Sequence, residues 1–152
     1  MEGYDLNQSN PITTILRVSP LAELNRETLS ASVSLPRINT STNLQNIQRL
    51  PYFRLIISLG TVSDMMYNED GILYKYQPIN KVLNVVCQST LSDWHSTNDV
   101  LPAHVLSVQL KETAIPLLTD DVTVLLSTGI EFGNVVFGGV IESVKHAGLL
   151  CR

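Results

Sequence analysis

The feature that most constrains this chain is an alternation of apolar and polar residues with period two, repeated along much of its length. Leu29, Ala31, Val33 and Leu35 alternate with Ser30, Ser32 and Ser34, and Leu106, Val108 and Leu110 with Ser107, Gln109 and Lys111. Val122, Val124, Leu126, Thr128, Ile130 and Phe132 extend the same pattern further. Successive side chains on a strand point to opposite faces, so each such segment offers one side to a core and the other to solvent. The pattern predicts an all-β fold, a β-sandwich or jelly-roll-like variant of about eight strands with at most one or two short helices.

Punctuation along the chain divides it into elements. Residues 1–11 are polar, end in an Asn-Pro step and read as a flexible N-terminal arm, leaving residues 12–152 as a single β-sandwich domain. The β-branched run 12–18 and the alternating run 29–35 read as strands, while residues 21–27 suit one helical turn or a loop. Residues 41–50 are the best helix candidate, with Ser41 or Thr42 as N-cap and Pro51 as the stop. Residues 52–59 are apolar on both sides and predict a central strand covered on two faces, ended by Gly60. Asp70-Gly71 between strand-like residues marks a hairpin, with a return strand closed by Pro78. Further strands are expected over 81–88 and 135–144, with a turn at Gly133-Asn134 and a bulge or bend at Gly138-Gly139.

Composition limits the function. With 44% hydrophobic and 16% charged residues, the chain carries enough apolar side chain to fold, and its surface must be largely neutral and polar. A net charge of −4 lacks the basic footprint of phosphate-backbone binding, so nucleic acid is not an expected partner. No apolar run approaches the roughly 20 residues of a membrane span, and the acidic start Met1-Glu2-Gly3-Tyr4-Asp5 does not resemble a secretory signal. Cytoplasmic synthesis without export and no membrane contact are the expectations. Two cysteines make no disulfide framework; Cys87 reads as a small buried hydrophobe and Cys151 as an exposed thiol.

The search for chemistry yields little. His95, His104 and His146 show no metal-ligand spacing, there is no nucleophile elbow, and Gly138-Gly139 lacks the spacing of a phosphate cradle. The acidic pairs Glu69-Asp70 and Asp120-Asp121 sit at turns, where aspartate caps backbone amides. No catalytic, cofactor or metal residues are therefore assigned. The remaining candidate is the polar loop around the sole tryptophan, in which Asp93, Trp94 and His95 form an interface or ligand loop. Trp94, with Tyr67, Tyr74 and Tyr76 elsewhere, also supports an alternative reading as a carbohydrate-binding module.

Four stretches carry a resemblance: Tyr52-Phe53-Arg54-Leu55-Ile56-Ile57-Ser58-Leu59, Tyr76-Gln77-Pro78-Ile79-Asn80, Asp93-Trp94, and the C-terminal part from Gly129-Ile130-Glu131-Phe132-Gly133 to Val144-Lys145-His146-Ala147-Gly148. In these the chain resembles small uncharacterised β-domain proteins of Bacteroidetes phages and mobile elements. The resemblance implies a non-enzymatic virion component, similar to capsid, decoration or tail-associated domains. It transfers no site residues. Together with the missing chemistry, it leads to the expectation of a structural or assembly protein whose partners are copies of itself and other structural proteins.

Overall fold

The computed structural model describes residues 11–46, 48–68 and 75–144. The arm predicted over 1–11 falls almost wholly outside these residues, as do Asp70-Gly71, Tyr74, His146 and Cys151. The fold is all-β. Two antiparallel sheets face one another across a single hydrophobic core.

The smaller sheet has the order β1-β2-β10, from β1 (Leu21–Asn25), β2 (Ser30–Leu35) and β10 (His104–Gln109). The larger has the order β12-β11-β4-β7, from β12 (Ile141–Ser143), β11 (Val122–Val135), β4 (Tyr52–Ser63) and β7 (Val86–Leu91), with β8 (His95–Ser96) also paired to β4. Two short pairs complete the strands: β3 (Ile38–Asn39) with β9 (Val100–Leu101), and β5 (Met65–Asn68) with β6 (Lys75–Pro78). The alternation read from sequence is the burial pattern of β2, where Ala31, Val33 and Leu35 are buried between half-buried serines. In β10, Leu106 and Val108 enter the same core. Phe53, Leu55, Ile57 and Leu59 of β4 close it from the opposite sheet, joined by Ile130 and Phe132 of β11.

Twelve strands among the described residues replace the expected eight or so, because the two-residue strands and the β5/β6 hairpin leave too short a periodic signal to count. Several expectations are corrected. Residues 12–18 do not form a strand: Ile12–Ile15 is a helical turn, α1, opened by Pro11, and Ile12, Ile15 and Leu16 have helical spacing. Residues 21–27 do not choose between helix and loop but supply β1, paired along its length with β2. As an edge strand it is exposed throughout, so no alternation was selected, and Glu23 at its centre discourages pairing with another edge. The predicted helix 41–50 shrinks to α2, Thr40–Asn43, and its cap is Asn39, whose side chain accepts from the Ser41 N–H, rather than Ser41 or Thr42.

Further along, β4 runs through Gly60 to Ser63 because β11 pairs with it as far as Ser63 and β7 as far as Thr61. Only one of its faces is fully buried, whereas coverage of both was expected. The strand predicted over 81–88 begins instead at Val86, since Leu83 turns into the core and its carbonyl accepts from Thr61 Oγ1 at 2.6 Å. No turn occurs at Gly133-Asn134, which lie inside β11. The turn falls at Gly138-Gly139, both at positive φ, so these glycines are a hairpin tip rather than a bulge. Cys87 is exposed, not buried, because its side chain lies on the outer side of the large sheet.

Candidate functional site

The loop Asp93-Trp94-His95 joins β7 to β8 and is tied to the start of β4. Ser92 secures it: its N–H donates to the Leu55 carbonyl at 2.9 Å, and its Oγ accepts from the Leu55 N–H at 3.0 Å. Three residues past this knot, β8 begins and pairs His95 with Phe53 and Ser96 with Tyr52. Thr97 then ties the chain to the carbonyls of Leu50 and Pro51, each at 2.9 Å. The loop is consequently a fixed corner of the sandwich.

Asp93 is exposed, and Trp94 and His95 are half-buried. Trp94 lies over the outer side of the large sheet, where the Arg54 guanidinium sits 4.4 Å from its ring centroid. Arg54 is held in turn by Glu131, its cross-strand partner, through Nε–Oε2 and Nη2–Oε2 contacts of 2.6 Å. The ring edge rests on Gly133: a Cβ placed there would come within 2.7 Å of two Trp94 ring carbons and 2.9 Å of Ile141 Cγ2. Glycine is required at 133 by this close approach. Trp94, Arg54, Glu131 and Gly133 thus make a clasp at the base of the β11/β12 hairpin. For a sugar ring to stack on the face that Arg54 occupies, it would have to displace the guanidinium.

His95 turns the other way, into the space between Phe53 and His104. Its ring centroid is 5.7 Å from that of Phe53 and 6.1 Å from that of His104, the two imidazoles being edge to face. Nε2 of His95 is buried with no hydrogen-bond partner among the described residues. Burial lowers the His95 pKa below the ordinary histidine value, the charge of His104 adds to the lowering, and Asp93 opposes it. A neutral imidazole is the form this corner favours. Among the described residues no third metal-ligating side chain joins the two histidines.

Tyr67 and Tyr76, the tyrosines of the carbohydrate reading that fall among the described residues, lie away from Trp94. They are cross-strand partners on β5 and β6, their rings 5.3 Å apart, and this hairpin follows the end of β4 opposite to Trp94. No shared aromatic platform forms with them. A shallow concavity of about 490 Å³ on the small sheet is lined by Glu23, Ser32, Ser107 and Gln109 among others. Glu23 is its one ionisable group, so no acid–base pair is assembled there.

Above the clasp lies a feature the sequence reading passed over. The β11/β12 hairpin ends in Val136-Phe137-Gly138-Gly139-Val140, closed by a 2.8 Å bond from the Val136 N–H to the Val140 carbonyl. Phe137 at its apex is 104% exposed, so its ring touches nothing, and Val135, Val136 and Val140 are exposed beside it. Turn tips ordinarily carry Asn, Asp or Ser. The signal was present as an apolar run continuing through a Gly-Gly pair, but it reads equally as an uninterrupted strand.

No known protein family, curated protein or solved structure matches this chain. The site must therefore be read from its own chemistry. No helix among the described residues is long and apolar enough to cross a membrane.

Proposed function

We propose that this chain is a non-enzymatic assembly protein that builds a larger structure by protein–protein contact, with copies of itself as its main partners. The observation that carries this reading is the apolar hairpin tip on a fixed base. Phe137 stands fully exposed at the apex, while Trp94, Arg54 and Glu131 hold the strands beneath it. An aromatic ring presented on a prepositioned hairpin can enter a neighbouring subunit with little loss of conformational freedom. Apolar groups grouped in this way mark contact sites on otherwise polar surfaces.

A virion is the setting suggested by the resemblance of the β4 and β11 segments to phage β-domain proteins, and that part of the reading rests on the resemblance. Light scattering coupled to size-exclusion chromatography tests the proposal. The wild-type chain is expected to self-associate as concentration rises, and Phe137→Ser is expected to weaken association at least tenfold. Because the ring makes no contact within its own subunit, the substitution should change folding stability by no more than about 0.5 kcal/mol. Association that is indifferent to Phe137→Ser, or a wild-type chain that stays monomeric at every concentration, would overturn the reading.

A further inference from the structure

The side of the large sheet facing away from the core carries four successive cross-strand rows without a single charged side chain. They are Thr123–Val62, Leu125–Gly60–Cys87, Ser127–Ser58–Ser89 and Gly129–Ile56–Leu91, read across β11, β4 and, where it reaches, β7. The next row is Glu131–Arg54, already covered by Trp94. A solvent face would normally mix Lys, Arg, Glu and Asp. Here Val62 and Leu125 are each 44% exposed and Leu91 46%, so the apolar groups are open to contact.

The three serines of this face are already partnered, with one another or with the strand backbone. Ser58 Oγ and Ser89 Oγ lie 2.7 Å apart, and Ser127 Oγ donates to the Ser58 carbonyl at 3.4 Å. Covering them would leave few hydrogen bonds unmade, which removes the main cost of burying a polar surface. Gly129 adds an independent sign. Glycine weakens a strand interior, yet a Cβ at 129 would meet nothing closer than Ile56 Cβ at 4.0 Å, an ordinary contact. Its φ is not in the left-handed region. The chain's own packing gives no reason for the hollow at Gly129.

We propose that this face is the contact with a second copy of the chain, related by a two-fold axis running along the serine row. Such an axis lays β4 on β4 and exchanges the rows on either side. Leu125 of one copy then meets the hollow at Gly129 of the other, Ile56 meets Gly60, and Leu91 meets the smaller Cys87. Large side chains oppose small ones in all three pairs, and hydroxyls meet hydroxyls at the centre. The face offers no charge to recognise a charged partner, whereas its order of knobs and hollows fits its own copy. The Thr123–Val62 row lies over the other copy's Glu131–Arg54 row at the margin. The three rows that meet one another across the axis span three strands about 4.8 Å apart and five residues at about 3.3 Å, roughly 240 Å² of flat face. That is below the roughly 800 Å² per partner of a standard stable interface, so the pair is weak and gains strength by repetition in an array.

This inference rests on the assembly reading, and the experiment separates the two. Sedimentation velocity of the full-length chain over a concentration series is run for the wild type, Gly129→Val and Leu125→Glu. Alkylation of Cys87 is followed in parallel by peptide mass spectrometry. The expected result is a dissociation constant raised at least tenfold in both variants, with Cys87 alkylation slowing several-fold as the wild type associates. Gly129→Val should keep or raise the thermal midpoint, since valine suits a strand and the site has room, so its loss of association is not a loss of fold. Association unchanged in both variants, or Cys87 equally reactive in free and associated chain, overturns the two-fold contact while the assembly reading stands. A wild type that never associates overturns both.

Discussion

Trp94 illustrates how a residue's role follows from its neighbours rather than its type. As the only tryptophan it was the natural candidate for a ligand loop, but its ring stacks on Arg54 and abuts Gly133. Gly133→Ala should drive a methyl group into the ring and cost about 1–3 kcal/mol, read as a lower urea midpoint. The emission of the single tryptophan should move to longer wavelength as the ring is pushed outward; an unshifted spectrum would contradict the packing. His95 gives a second test. Its pKa is lowered in the fold, chiefly by burial, so the unfolded chain binds the proton more readily. The neutral state's stability contribution is complete above the unfolded value of about 6.5 and is lost as pH falls through that value toward the lower folded one. The drop in urea midpoint between about pH 7.5 and pH 5.5 should be smaller in His95→Phe than in the wild type; an equal drop would show that His95 does not carry it. Neither the clasp nor the histidine pair was legible in sequence, because Arg54 and Glu131 are separated by 77 positions and only the register of β4 on β11 brings them together.

Among the elements, those that cover the core were legible and those at the margins were not. β2, β10 and most of β11 announced themselves by period two because one face of each is buried. The Asp70-Gly71 hairpin signal was followed by the pairing of β5 with β6 on either side of it. β1 escaped because an exposed edge strand is under no pressure to alternate. The start of β7 was misplaced because the chain before it is held by side-chain bonds, with Asn80 Oδ1 accepting from the Leu83 N–H and Thr61 Oγ1 bonded to the Leu83 carbonyl. Val85, the residue entering β7, has φ +62 and an exposed side chain. A β-branched residue is strained in this region, while asparagine tolerates it. Val85→Asn should therefore raise stability by about 1 kcal/mol, visible as a higher urea midpoint at unchanged slope. A lower midpoint would mean that the valine makes contacts that outweigh its backbone strain.

At the scale of the whole molecule, the hairpin tip and the neutral sheet face are the two contacts proposed for the chain, and they differ in kind. One two-fold contact closes a pair, and a second contact of another kind lets pairs extend into a ring or lattice. Since neither surface includes a free charge, association should change less than about twofold between roughly 50 and 500 mM salt. Association lost at high salt would place the contact on charged residues instead. The sequence by itself determined the all-β class, the alternating core residues of β2 and β10 and the lack of any motif for catalysis, because strand alternation and motif spacing are local properties. Tertiary structure alone decided which strands are neighbours. That choice brought Trp94 onto Arg54, set Phe137 at a free apex and aligned serines 58, 89 and 127 in one row, since strand register joins residues that lie far apart along the chain.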